Sequence, residues 1–178
     1  PRTPEKTIAA TYDYTEESGK LLFQVVRYSP KGFSQRKPDG AGGFTYSLNG
    51  VSRVLYHLPD VLAAVAFDQP IYVVEGEKDA DALIALGYCA TTSPAGAGKW
   101  RPEYAESLRG ANVIIVQDKD EPGYKHAVDV KRSLDGVAAS VRVVQAIVGK
   151  DASDHLNAGH GVDDFAPAAP LHSEPAAP

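Results

Sequence analysis

Two short apolar runs in this chain each end in acid. Ile71-Tyr72-Val73-Val74 leads into Glu75-Gly76-Glu77-Lys78-Asp79, and Asn112-Val113-Ile114-Ile115-Val116-Gln117 leads into Asp118-Lys119-Asp120. Brief β-branched runs bounded by polar or Gly-containing turns read as buried strands. Helical patterns follow them over residues 79–86, with Ala80, Leu83 and Ile84 on one face, and over 124–134. A helix over 101–108 and strands over 88–92 and 140–144 complete an alternation that predicts an α/β fold, a mainly parallel sheet with helices on both faces. Ligands gather at the carboxyl ends of strands in such sheets. Carboxylates crowded there repel one another unless a cation neutralises them. A hard divalent ion, Mg2+ or Mn2+, suits oxygen donors supplied by one or two carboxylates and a substrate's phosphates.

Upstream the pattern changes. Residues 11–14, 21–28, 33–37 and 44–48 read as strands, with Glu16-Glu17-Ser18-Gly19-Lys20 as turn chemistry between the first two. The expected organisation is a flexible lead-in over 1–10, a small antiparallel β-rich basic module over 11–60, the α/β domain over 61–165, and a disordered Ala/Pro-rich tail over 166–178. A helix begins near Pro59, where an early proline is tolerated.

Charge is uneven. The net value is −5, yet residues 20–53 carry six basic side chains and one acid, Asp39, whereas residues from 61 onward carry ten basic and seventeen acidic ones. A basic front and an acidic rear suit contact with a polyanion on one side and a metal on the other. No apolar stretch approaches the roughly 18 residues of a membrane span. The first residues lead into no apolar signal region, so a cytoplasmic setting is the default. A single cysteine, Cys89, excludes an intramolecular disulfide and a Cys-rich zinc site, and reads as a buried structural thiol.

Val73-Val74-Glu75-Gly76 followed by Asp118-Lys119-Asp120 resembles the Toprim domain shared by DnaG-type primases, topoisomerases, some nucleases and RecR-type recombination proteins. The resemblance covers roughly residues 70–157 and is closest to the phage- and plasmid-type primase and primase–helicase region, whose preceding segment residues 12–58 also resemble. It implies nucleotidyl transfer that makes RNA primers on a single-stranded DNA template from nucleoside triphosphates. It also implies that Glu75 acts in acid/base chemistry or ligates metal and that Asp118 and Asp120 hold metal. In an extended segment residues i and i+2 point the same way, so Asp-x-Asp can present both carboxylates to one metal cluster. Asp79, where primases also carry an acid, and Asp151, in Gly149-Lys150-Asp151-Ala152-Ser153-Asp154, are further metal candidates, with a helix cap as the alternative for Asp151. Asp154 reads as a helix cap; Glu77 and Asp81 read as solvated.

Arg27, Lys31, Arg36 and Lys37, interleaved with Phe23, Tyr28, Phe33, Phe44 and Tyr46, suit a nucleic-acid strand by charge and stacking. Half of these aromatics are expected in the core. Lys99 and Arg101 are candidates for a phosphate. Gly96-Ala97-Gly98-Lys99 lacks the Gly-x-x-x-x-Gly-Lys-Ser/Thr pattern of a nucleotide-triphosphatase loop, since position 93 is Ser, position 95 is Ala and Trp100 follows the lysine. The five histidines show no metal-ligand spacing, and His126 reads as a helix-surface residue. The missing Cys-rich module and motor loop imply a zinc-binding module or a helicase on another part of a larger protein. Two other functions fit the same acids: a Mg2+- or Mn2+-dependent nuclease cleaving DNA or RNA, and a non-catalytic nucleic-acid-binding module.

Overall fold

The computed structural model describes residues 6–168. Four antiparallel strands come first: β1 (Thr7–Thr15), β2 (Leu21–Ser29), β3 (Gly32–Pro38) and β4 (Phe44–Thr45), in spatial order 1-2-3-4. Residues 7–10, expected as lead-in, are already strand, because β2 runs on to Ser29 and supplies partners as far back as Thr7. The expected fourth strand is shorter than residues 44–48. It pairs with β3 only at Lys37 and Pro38. The β1–β2 turn closes on Gly19, whose φ of 87° is open to glycine without strain.

The second sheet follows the predicted alternation. α1 (Leu58–Ala66), β5 (Ile71–Val73), α2 (Glu77–Ile84), β6 (Cys89–Thr91), a 3-10 turn at Pro102–Leu108, β7 (Asn112–Gln117), α3 (Glu121–Leu134), β8 (Ser140–Gln145), α4 (Ala152–Asn157) and β9 (Ala166–Pro167) succeed one another. Strand order is 6-5-7-8-9, parallel except for β9. The segment expected as a helix over 101–108 is a 3-10 helix. The expected tail begins with β9, and its remainder from 169 lies outside the described residues. No helix among the described residues is long and apolar enough to cross a membrane.

Alternation along each strand divides two cores. Ile71, Val73, Val113 and Ile115 face α1, α3 and the 3-10 turn; Tyr72, Val74, Ile114 and Val116 face α2 and α4. Tyr12, Tyr14, Phe23 and Val25 of the antiparallel sheet belong to the second core. Tyr14 stacks on Phe23 with centroids 4.6 Å apart and donates its hydroxyl to Glu77 at 2.8 Å. The two sheets therefore share one apolar interior, which sets the antiparallel sheet against the strand ends that carry the acids.

Candidate active site

Glu75 follows β5, and Asp118 follows β7, its neighbour in the sheet. Both stand at the carboxyl edge, as a parallel sheet requires of its ligand site. Asp118 is only 7% exposed. Its pKa is pushed up to about 8, first by burial, then by the charges of Glu75 and Asp79, against the opposing pull of Lys150. Burial, then Asp120, likewise raises Glu75, whose Oε2 is buried without a hydrogen-bond partner. Gly123, in the first turn of α3, lets this edge close. A Cβ there would lie 2.6 Å from both the Cβ and the backbone oxygen of Asp118.

Asp120 caps α3, accepting from the Gly123 N–H at 2.8 Å. Lys150 draws the two aspartates together. Its Nζ stands 2.7 Å from Asp120 and 3.7 Å from Asp118. The Lys150 bond holds the Asp120 carboxyl below its usual range, and the same bond raises the lysine. The Lys119 N–H donates to the Lys150 carbonyl at 3.0 Å, which fixes the lysine's loop to the end of β7. Sequence reasoning missed Lys150 and Gly123. Lys150 stands among the acids of the segment 149–154, and nothing local in the sequence pairs it with Asp118 or Asp120.

Asp79 lies in the first turn of α2. It accepts from Ser153 twice, from N–H at 2.9 Å and from Oγ at 2.5 Å, while burial raises its pKa. The cap of α4 is Asp151, which accepts from the Asp154 N–H at 2.7 Å, not Asp154 as expected. Asp154 instead accepts from the Lys150 N–H at 2.8 Å and packs against Gly149. Two more readings are corrected. Glu77 is buried and takes the Tyr14 hydroxyl, and Asp81 takes that of Tyr56 at 2.9 Å, because the antiparallel sheet and the segment after it cover α2. His126 is also buried, 6.2 Å from the Trp100 ring, with neither ring nitrogen partnered; burial lowers its pKa.

A cavity of about 510 Å³ opens at this edge. Glu75, Asp79, Asp118, Lys150 and Asp151 line one side, and Val25, Arg27, Lys31, Phe33 and Gln35 line the other. Parity and side-chain partners together decide which basic residues reach it. Val25, Arg27, Phe33 and Gln35 share one face of the hairpin, paired Val25–Gln35 and Arg27–Phe33. Arg36 occupies the other face, donating to Gln24 at 2.8 Å and lying 4.0 Å from the Phe44 ring centre. Lys37 donates to the Asn49 carbonyl at 2.7 Å. Lys99 is exposed, and Arg101 is exposed 3.6 Å from Glu103; neither lines the cavity.

The donors fit a divalent cation in kind: carboxylate oxygens, one of them buried and unpartnered, with repulsion that a cation would relieve. Among the described residues, however, no three acidic, histidine or cysteine side chains are grouped closely enough to hold one as they stand. Lys150 supplies the positive charge instead.

No protein-family profile matches the chain. It is 27% identical over 140 residues to the Gene 57 protein of Mycobacterium phage D29, covering 75% of this chain and 87% of that one. Its structure superposes on the DnaG primase catalytic domain solved with single-stranded DNA, with TM-score 0.61 and 21% identity over 88% of this chain and 53% of that one. It also superposes on a chain from the bacteriophage T7 assembly of lagging-strand DNA polymerase with gp4 primase domains, bound to an RNA/DNA hybrid and dTTP. There the TM-score is 0.57 and identity 20%, over 89% of this chain and 78% of that one. The chain has the Toprim-containing fold of primase catalytic cores. It spans about half the length of the DnaG core it matches. Within this fold both sheets are present; the cleft between them carries acids with Lys78 and Lys150 on the parallel side, and Arg27 and Lys31 on the antiparallel side.

Proposed function

We propose that this chain is the Toprim portion of a primase-type enzyme, joining ribonucleotides into short RNA primers on single-stranded DNA. One observation carries the reading: acids on rigid strand ends and cations on the antiparallel sheet line the same cleft. Glu75, with a raised pKa and a free buried oxygen, accepts the proton of an attacking 3′ hydroxyl or contributes a metal ligand. Asp118 and Asp120, with Asp79 and Asp151 beside them, would hold Mg2+ or Mn2+. That ion, when bound, supplies charge neutralisation for the attacking and leaving oxygens. Lys150 competes for Asp118 and Asp120 and, once released, is placed to meet a phosphate. Arg27 and Lys31 pair with the strand's phosphates from the opposite wall. The DnaG catalytic domain solved with single-stranded DNA, and the T7 assembly of lagging-strand polymerase and primase domains bound to an RNA/DNA hybrid and dTTP, support these partners. Template recognition and strand opening would come from a zinc-binding module or helicase on another part of a larger protein.

The purified protein, incubated with single-stranded DNA, ribonucleotides and Mg2+ or Mn2+, should yield short RNA products. Shortened DNA or RNA without ribonucleotides would assign a nuclease in its place. The Lys150 bridge favours a second reading, a non-catalytic binding module, because the ammonium already pairs with Asp120 at 2.7 Å. Binding without turnover under every metal and nucleotide condition would select it.

A further inference from the structure

We infer that Phe33 is a stacking platform for a nucleobase in the cleft. Phe33 is 54% exposed, and among the described residues no other aromatic side chain lines this cavity. Its exposure is not a failure of packing. Phe23 and Val25, whose side chains point to the same side of the hairpin, are buried in the shared core, and the core ends before Phe33. β4 stops after pairing with Lys37 and Pro38, so β3 is an open edge at Phe33. The ring therefore projects past the packed interior into the space opposite the acids.

Its neighbours indicate what would lie on it. Arg27 is its direct cross-strand partner, and Lys31 lies two residues away along the chain. A flat apolar face between two cations matches a nucleotide, which presents a ring face and a phosphate about one side chain apart. An apolar peptide would leave both cations without partners. Stacking on an aromatic ring is tolerant of sequence because every base has a π face. The platform thus predicts recognition of bases in general.

This inference rests on the nucleic-acid reading above, and it is tested by binding alone. Fluorescence anisotropy would compare a labelled oligothymidylate with an abasic oligomer of equal length and charge. The unmutated chain should bind the base-bearing strand more tightly. Phe33→Ala should weaken that binding about fivefold to a hundredfold, the range for one lost stack, and leave abasic binding and the salt slope unchanged. Phe33→Trp should restore the preference and show emission quenched by the base-bearing strand, beyond the change seen from Trp100 in the unmutated chain. Equal loss on both oligomers, or none on either, overturns the platform while leaving the primase reading intact. Failure of the unmutated chain to bind either oligomer overturns the nucleic-acid reading, and the platform with it.

Discussion

The two walls of the cleft are built by different rules. On the acidic wall, side chains distant in sequence converge because adjacent parallel strands end together. Glu75 and Asp118 meet this way, and loops that cap helices then add Asp120, Lys150 and Asp151. The wall is partly buried, so each charge alters the others. On the basic wall, residues close in sequence are sorted by alternation along one hairpin. Arg27 and Phe33 face the cleft, while Arg36 faces away to Gln24 and Phe44. Among the described residues neither Arg27 nor Lys31 forms a salt bridge. Mutations on the acidic wall should therefore be coupled and change chemistry, and those on the basic wall should be additive and change binding.

The contrast is sharpest at Glu75. Glu75→Gln keeps its size and removes its charge and its capacity to take a proton. Primer synthesis should fall about a hundredfold to ten-thousandfold, the usual loss for acid/base assistance, while single-stranded DNA affinity holds. Parallel turnover and binding titrations measure both; undiminished turnover removes Glu75 from the chemistry.

A smaller effect should appear on the basic wall. Arg27→Ala with Lys31→Ala removes two phosphate partners, so the log–log salt slope of single-stranded DNA binding should flatten by about 1.4. Arg36→Ala should leave the slope nearly unchanged, because its guanidinium is engaged on the opposite face. Equal flattening by the two variants would break the division by parity.

Stability against pH tests the acidic wall without substrate. Between the ordinary carboxyl range and about 8, the unfolded chain ionises Asp118 while the folded chain keeps it protonated. The folded state then binds more protons, so stability falls as pH rises through this window; below it both states are protonated and the penalty vanishes. Asp118→Asn should flatten that fall and add about 1–3 kcal/mol at pH 8, a rise of several degrees in Tm. Mg2+ or Mn2+ should stabilise the unmutated chain by about 2.7 kcal/mol at a hundred times its Kd. The pair Asp118→Asn and Asp120→Asn should abolish that response. Thermal melts from pH 5 to 8.5, with and without metal, decide the matter, and an unchanged metal response in the double variant would remove these two aspartates as ligands.

How much of this was legible follows the same division. Strand-end acids are readable because apolar run and carboxylate are contiguous, as at Val74-Glu75 and Gln117-Asp118. The pairing of Lys150 with Asp120 is not, since it depends on β8 lying beside β7 and returning its loop to that edge. Positive charge in residues 20–53 is readable by counting. Its direction is not, because alternation gives two faces and only the packing of Phe23 and Val25 into the shared core says which one meets the acids. The same packing buries Glu77, an acid that the sequence alone assigns to solvent. Between Asp151 and Asp154 as cap of α4, only hydrogen-bond geometry decides: Asp151 accepts from the Asp154 N–H, while Asp154 lies inside the helix and accepts from the Lys150 N–H.

The smallest effect should come from Lys99 and Arg101, candidates for a phosphate in the sequence that the structure sets outside the cavity lining. Lys99 stands exposed on the loop after β6, and Arg101 faces Glu103 at 3.6 Å, with both of those side chains more than half exposed. An ion pair in that setting contributes little, because water screens it and two long side chains lose freedom to form it. Lys99→Ala with Arg101→Ala should leave stability within about 0.5 kcal/mol. Single-stranded DNA affinity should stay within about twofold, the order of 0.4 kcal/mol. Salt titrations of this pair beside Arg27→Ala with Lys31→Ala make the comparison. A slope change as large as that of the hairpin pair would mean that the strand also crosses the loop at 93–101. The basic wall would then extend onto the α/β domain, and the separation of binding from chemistry between the two sheets would no longer hold.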